Sequence, residues 1–319
     1  MPGPTVVSSL QRKLARRWLD LEYERLIPLF SRLPQRVAFP LFSLRALVQY
    51  IFDYDWKTYA FCQRFLRQQT CAALRRLRPS ADEKTIRSLV LRRFIHESHD
   101  EYLSCLLSRP QGAAILDRVA IENLDCLRSV NRSSGIVFVS MHYDAFCLGL
   151  AALGRQGLNM NVVNTEAITS TAIPAGVRSY YRRKYAAMES LMNGRMPYVE
   201  VSQTPFLEAL RRRDCVGLMG DIPGNRSTVS IDFLGASFRM PLGAWKFARQ
   251  TQAKLSAFVC VREAGHHYRI ETLPPYSVGD DPLASMRPIY EFLEQRVRQQ
   301  PDRWTSSYLL EGYESGTSE

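Results

Sequence analysis

The chain of 319 residues contains 46% hydrophobic and 23% charged residues, a globular composition that excludes a disordered or fibrous protein. Its 42 Lys and Arg against 31 Asp and Glu give a formal net charge of +11. A surplus of this sign favours an acidic partner, such as nucleic acid, anionic lipid headgroups or an acidic carrier protein. The seven cysteines form no C-x-x-C pair and have no metal-ligand spacing, which indicates a reducing compartment and gives no zinc signal.

The N-terminal segment lacks the apolar stretch of a signal peptide. Its first thirty residues contain no uninterrupted apolar stretch, because basic residues fall where that stretch would lie, so secretion is not indicated. These residues are Arg12, Lys13, Arg16 and Arg17. Residues 37–54 are the nearest approach to a membrane span, but Pro40 and Arg45 interrupt them, which suits an interfacial or buried helix better.

Helical spacing of apolar residues continues to about residue 110. A helix start is predicted at Ser80, with the acidic Glu83 three positions later. We therefore expect residues 1–130 to form an N-terminal helical region that associates with a membrane.

From about residue 131 the pattern changes to short apolar runs that alternate with helical segments. Residues 136–140, Ile-Val-Phe-Val-Ser, are typical of a buried strand. Further strands are predicted at residues 160–164, 198–201, 216–219 and 230–234, and as a hairpin of 257–261 and 268–271 around Gly265. Helices are predicted at residues 145–153, 205–213, 242–252 and 285–300. The alternation predicts an α/β fold over residues 131–319, with a sheet whose strands are largely buried on both faces.

His142 follows the first of these strands, on a loop that leads into a helix. In open α/β sheets this position faces the crevice in which ligands bind. A histidine there is able to act as a general base near neutral pH, and the alternative is a loop histidine that only packs. The other four histidines have no ligand-like spacing, apart from His96 and His99 on one helical face, and are interpreted as structural or surface residues. The remaining two are His266 and His267.

Several segments resemble, in order and spacing, the lipid A late acyltransferases, the lauroyl and myristoyl transferases of the bacterial lysophospholipid acyltransferase superfamily. The segments are residues 135–144, 217–221, 233–235 followed by Gly243, 257–262, 268–271, 274–275 and 301–304. The resemblance covers most of the chain. It implies a mostly buried mixed sheet flanked by helices, as in glycerol-3-phosphate acyltransferases. It also implies transfer of a fatty acyl group from a thioester of acyl carrier protein or coenzyme A to a hydroxyl or amine of a lipid or glycolipid.

The signature of this family is a histidine followed, after four residues, by Asp or Glu. The resemblance implies that His142 deprotonates the acceptor while the carboxylate orients the imidazole, but this chain has Cys147 at the carboxylate position. Asp144 is a candidate orienter, a candidate N-cap of the following helix, or both. Cys147 is open to three interpretations: a small core residue, a redox-sensitive thiol, or a nucleophile that His142 activates and that carries an acyl-enzyme intermediate.

Four further residues are candidates for substrate binding. Asp221 follows a buried strand and by resemblance lies near the active-site cleft, whereas the alternative is a turn residue that bonds its own backbone. Arg178 and Arg182 belong to a basic cluster that is able to bind phosphate or an acidic donor, and Arg239 is a weaker candidate of the same kind. The alternative for such a charge run is a solvated surface.

Together these interpretations predict a peripheral or monotopic acyltransferase at the cytoplasmic face of a bacterial inner membrane, bound to an anionic membrane surface. No cofactor or metal is expected, because a thioester is already activated and the enzyme has only to position, deprotonate and stabilise an oxyanion. One alternative is a catalytically silent family member that binds lipid or a protein partner, which Cys147 supports. Nucleic acid is not expected as a partner, because only the basic charge suggests it and no nucleic-acid-binding signature is present.

Overall fold

The computed structural model describes residues 9–57, 66–222, 227–264 and 267–310, and of residues 9–12, 110 and 111 it describes the backbone alone. Gly265, expected at the tip of a hairpin, and His266 lie outside the described residues.

Eight strands form two sheets. The strands are β1 (Val119–Ile121), β2 (Ile136–Ser140), β3 (Met160–Val162), β4 (Cys215–Met219), β5 (Thr228–Phe233), β6 (Ala236–Pro241), β7 (Lys254–Arg262) and β8 (Tyr268–Tyr276) within the described residues. Six of them form a mixed sheet in the order β1-β8-β7-β2-β4-β3, whose neighbours are all parallel except the antiparallel pair β7 and β8. Strands β5 and β6 form a separate antiparallel pair.

Helices cover the sheet, and further helices are formed by the N-terminal part of the chain. Those that precede the second strand are α1 (Ser9–Leu21), α2 (Ile27–Phe30), α3 (Gln35–Phe52), α4 (Leu66–Leu77), α5 (Glu83–Leu107), α6 (Pro110–Leu116) and α7 (Leu124–Asn131). Those that follow are α8 (Phe146–Arg155), α9 (Ala175–Met192), α10 (Thr204–Arg211), α11 (Gly243–Thr251) and α12 (Pro282–Gln299). None of the described helices combines the length and the apolar character that crossing a membrane requires.

The central strand β2 is buried along its whole length because the core lies on both of its faces. Ile136 and Phe138 belong to one hydrophobic cluster, and Val137 and Val139 belong to a second. Successive side chains of a strand point to opposite faces, so an unbroken apolar run is what a doubly covered strand requires. The predicted mixed α/β fold with helices on its sheet and at its N-terminal side is confirmed.

Two local predictions are wrong. Residues 198–201 do not form a strand: Tyr198 makes an isolated bridge with Asn164, and the chain then turns, with the amide of Val201 donating to the carbonyl of Tyr198. The helix begins two residues later than expected. Its N-cap is Asp82 rather than Ser80, and the Asp82 carboxylate accepts from the Thr85 amide at 2.8 Å. Local sequence patterns such as alternation and capping are weak predictors of an element and its bounds where tertiary contacts decide the outcome.

The sheet also takes a strand from the segment that the sequence predicts as helical. Strand β1 pairs in parallel with residues 268–270 of β8 at the edge of the sheet. It has three residues, so it is too short to leave an alternating pattern. The domain boundary at residue 130 stays a prediction.

Arg45, which interrupts the apolar run of α3, is directed into the protein. Its guanidinium contacts the carboxylates of Glu22 and Glu101 and donates to Ser98 Oγ at 3.0 Å. Apolar side chains occupy the solvent side of the same helix. We call Val37, Leu44, Leu47, Ile51 and Phe52, all exposed, the outer face of α3. The charge of Arg45 is therefore directed into the protein, while the apolar side chains of the outer face are directed away from it.

Candidate active site

The register of two parallel strands brings His142 and Asp221 together. Ser140, the last residue of β2, is paired with Met219, the last residue of β4. His142 and Asp221 each lie two residues beyond these strand ends. Because the carboxyl ends of parallel neighbours meet at the same edge of a sheet, the two residues lie together at the edge where open α/β sheets bind ligands.

Asp221 binds His142 with both of its carboxylate oxygens. Oδ1 lies 2.9 Å from Nδ1 of the His142 ring, and Oδ2 accepts from the His142 backbone amide at 2.9 Å. The indole Nε1–H of Trp304 also donates to Oδ2, at 2.9 Å. A carboxylate only accepts, so the ring donates its Nδ1 proton to Asp221 and presents Nε2 as an acceptor. The carboxylate is fully buried, while 27% of the His142 side chain is exposed.

The segment of residues 303–305 holds the loop that carries His142. The His142 carbonyl accepts from the Thr305 amide at 2.8 Å and from the Thr305 hydroxyl at 2.9 Å. The Asp144 amide donates to the Arg303 carbonyl at 2.9 Å. Phe146, the first residue of α8, packs edge-on against the His142 ring, with 4.9 Å between the centroids. The hydrogen bonds to the loop backbone and the contact with Phe146 therefore fix the position of the ring.

Asp144 has other partners than His142. It adopts a left-handed backbone conformation, with φ of 46°, and its carboxylate accepts from the Arg262 amide at 2.8 Å and contacts Arg303 and His96. The predicted helix cap is wrong, because the N-cap of α8 is Ala145 and no side chain caps it. Burial raises the pKa of Asp144, but the hydrogen bond and charge of His96 and the charge of Arg303 outweigh it and lower the pKa to about 2. The carboxylate that contacts His142 is thus that of Asp221.

His96 holds Asp144 from the long helix α5. Its Nδ1 lies 3.3 Å from Asp144 Oδ1, and its Nε2 lies 3.6 Å from Asp302 Oδ2. Burial lowers the pKa of His96, but its bonds to the two carboxylates outweigh burial and raise the pKa. The charged form of a buried imidazole between two aspartates is paired, which is the arrangement that makes burial of such a charge tolerable.

A family model for the bacterial lipid A biosynthesis acyltransferases matches residues 111–306 of the chain, more than half of its length. The chain belongs to this family. Membership supports enzymatic acyl transfer onto a lipid acceptor. No curated protein matches the chain.

Cys147, at the position where the family signature has a carboxylate, lies in the core. The thiol is buried, and burial together with the charge of Asp100 raises its pKa to about 12. Lys184 is its cationic neighbour and lies 3.6 Å from Asp100. A thiol with so high a pKa is almost entirely protonated at neutral pH, which favours the core interpretation over the nucleophile.

The three arginines that the sequence singles out do not meet His142. Arg178 donates to backbone carbonyls of residues 170–173, just before its own helix α9. Arg182 is exposed on the same helix, and Arg239 is exposed on β6 and donates to Thr228 Oγ1 at 3.2 Å. In the part of the chain that the structure describes, none of the three forms a hydrogen bond or ion pair with His142 or Asp221. Their predicted role in substrate binding stays a prediction.

Sequence reasoning missed Trp304 and Thr305, which complete the site. The signal that was present is the segment of residues 301–304, Pro-Asp-Arg-Trp, which belongs to the resemblance to this acyltransferase family. Periodicity alone gives no reason to connect that segment with the loop of His142, because His142 and Thr305 are 163 residues apart in the sequence.

Alkylation separates the core interpretation of Cys147 from the nucleophile interpretation. Treatment of the folded protein with iodoacetamide at about pH 8 is expected to modify the exposed Cys126 and to leave Cys147 unmodified, because a pKa of about 12 leaves roughly one thiol in 10⁴ ionised at that pH. Peptide mass spectrometry measures both sites. Denatured protein, in which both thiols react, is the control, and equal modification of both cysteines in the folded protein would revive the nucleophile.

Proposed function

We propose that the protein transfers a fatty acyl group from a thioester of acyl carrier protein or coenzyme A to a hydroxyl or amine of a lipid or glycolipid acceptor. His142 acts as the general base and Asp221 as the residue that orients it. The observation that carries this proposal is the 2.9 Å contact between His142 Nδ1 and Asp221 Oδ1, on a ring that stays partly exposed.

In the proposed reaction each proton has a place that is consistent with this contact. With Nδ1–H bonded to Asp221, Nε2 is the ring nitrogen that accepts the proton of the acceptor group. The acceptor oxygen or nitrogen forms a bond to the thioester carbonyl carbon, and the carbon–sulfur bond then breaks. The proton held at Nε2 passes to the departing thiolate, so the ring returns to its starting state.

Asp221 is suited to steady the imidazolium that forms during this transfer. Its second oxygen is fixed by the His142 amide and by the Trp304 indole, so the carboxylate keeps its position while the ring gains charge. The chemistry needs no cofactor, because the thioester supplies the activated acyl group.

A catalytically silent member remains the alternative, and its support is Cys147 in place of the signature carboxylate. Cys147 is buried beside Lys184, whereas Asp221 supplies a carboxylate at the histidine ring. Because the chemistry requires a carboxylate at the ring and not at a given sequence position, we favour turnover.

The net charge and the outer face of α3 support the proposed donor and location. A surplus of +11 favours encounter with an acidic carrier protein or an anionic membrane. The outer face of α3 follows helical spacing, and basic Arg36 and, on α1, Arg17 are exposed beside apolar residues of the same helices. Such a face suits a helix that lies in the membrane interface. We therefore place the protein at the cytoplasmic face of a bacterial inner membrane as a peripheral or monotopic protein.

Substitution of the two paired residues tests the chemistry. His142→Ala and Asp221→Asn are each expected to lower acyl transfer by roughly 10²- to 10⁴-fold. In Asp221→Asn the amide oxygen takes the place that accepts from Trp304, so the amide nitrogen donates to His142 Nδ1 and moves the ring proton to Nε2. Transfer is measured by mass spectrometry with a fatty acyl thioester of acyl carrier protein or of coenzyme A as the donor and a total bacterial lipid extract as the source of acceptors.

Cys147→Ser is the control variant, and it is expected to keep most of the activity, because its thiol does not contact the reacting groups. Thermal unfolding of each variant checks that the fold is retained. If Cys147→Ser or Asp144→Asn loses transfer while Asp221→Asn keeps it, the assignment of Asp221 is refuted. If the wild-type protein transfers no acyl group with either donor, the silent alternative is supported.

A charged residue on the outer face of α3 tests the membrane attachment. Leu44→Glu is expected to weaken sedimentation with vesicles that contain anionic lipid by roughly tenfold, because an apolar side chain that enters the interface is replaced by an acid. Val201→Glu changes an exposed apolar residue outside this face and serves as the matched control. An equal loss for both variants would contradict attachment through α3.

A further inference from the structure

A cavity lies between the start of α3, the end of α5 and helix α6. Its volume is about 710 Å³, within the range of small-molecule sites, roughly 300 to 1,000 Å³. Ser31, Pro34, Gln35 and Ala114 are part of its lining, and neither His142 nor Asp221 is. It is therefore distinct from the acyltransferase site.

The cavity is basic. Arg32, Arg109 and Arg118 line it, and no acidic residue does. None of the three arginines forms an ion pair with any residue that the structure describes. Arg109 donates from Nη2 to the Pro28 carbonyl at 2.8 Å, which fixes its guanidinium at the wall, while Arg32 and Arg118 are exposed. Three guanidinium groups without acidic partners at one cavity are suited to an anion with several oxygens, such as phosphate.

The beginning of α3 adds to this positive potential. Pro34 and Gln35, at its N-terminus, line the cavity, no side chain caps the helix, and no acidic residue lies in its first turn. A helix of 18 residues leaves backbone amides without partners in its first turn and carries a partial positive charge there. Together with the arginines, these amides favour the same anionic ligand.

Part of the remaining wall is apolar, since Leu33, Leu106 and Ile115 line the cavity. Leu33 is exposed, and so are Leu29 and Val37, which lie four residues before and after it in the sequence; Val37 begins the outer face of α3. A ligand that fits both the arginines and these apolar side chains has an anionic head and an apolar chain. An acidic carrier protein would match the charge but would leave the apolar side chains without a partner.

We propose that this cavity binds the phosphate headgroup of an anionic phospholipid, with Arg32, Arg109 and Arg118 around the phosphate and the acyl chains against Leu33 and Val37. The site binds and is not part of the acyl transfer chemistry. The proposal does not rest on that chemistry, so an inactive protein would still bind the lipid.

Binding of a short-chain lipid below its micelle concentration tests the site without a bilayer. Isothermal titration of the full chain with dihexanoyl phosphatidylglycerol is expected to detect binding, and with dihexanoyl phosphatidylcholine to detect much weaker binding. The double variant Arg32→Gln/Arg118→Gln is expected to weaken the phosphatidylglycerol Kd by about tenfold or more. Arg109 is kept because it holds the Pro28 carbonyl.

The matched control is Arg132→Gln/Arg211→Gln, which removes the same charge from two exposed arginines outside the cavity. Its Kd is expected to equal that of the wild type, and thermal unfolding checks both double variants. Equal weakening in both, equal affinity for the two lipids, or no binding of phosphatidylglycerol would overturn the proposal. Two further results would overturn it. Inorganic phosphate that binds as tightly as the lipid would indicate a free-phosphate site. A double variant Arg32→Gln/Arg118→Gln that loses binding of acyl carrier protein but keeps binding of the lipid would indicate a carrier-protein site.

Discussion

The parallel register of β2 and β4 is the constraint on which the candidate active site depends. It aligns the last residues of the two strands, so that His142 and Asp221, each two residues further on, emerge side by side. The resemblance implies a carboxylate at the position of Cys147, in the helix that follows the histidine, whereas the carboxylate that contacts the ring is that of Asp221, just beyond the neighbouring strand. In the proposed reaction a carboxylate is needed at one ring nitrogen, and the sheet edge offers a second route to that contact.

The conformation of the loop at residues 142–144 also depends on contacts from distant segments. Thr305 and Arg303 bond its backbone, and Asp144 is held in a left-handed conformation by its contacts with His96 and Arg262. A non-glycine residue in this region is strained, and it persists where the surroundings determine it. The signature loop and the C-terminal segment therefore form one unit, and both lie within the residues that the family model matches, 111–306.

The sequence predicted those features that have a local cause. The apolar run of residues 136–140 located β2 and with it the loop position of His142, because a doubly covered strand must be apolar throughout. The resemblance implies that Asp221 lies near the cleft and leaves a turn residue as the alternative, but its contact with a histidine 79 residues earlier depends on strand order, which periodicity does not contain. The same holds for the indole of Trp304. Residues 198–201 alternate like a strand and yet turn after a single isolated bridge between Tyr198 and Asn164, two residues beyond the edge strand β3.

The hydrogen bond between His142 and Asp221 is tested most directly by NMR of the ring nitrogens in protein labelled at histidine. With the neutral ring, the wild-type His142 is predicted to carry its proton on Nδ1 and none on Nε2, and Asp221→Asn is predicted to move that proton to Nε2. His142→Gln assigns the signal among the five histidines. A wild-type ring protonated on Nε2, or a tautomer that is the same in both proteins, would contradict the assignment of Asp221 as the residue that orients the base.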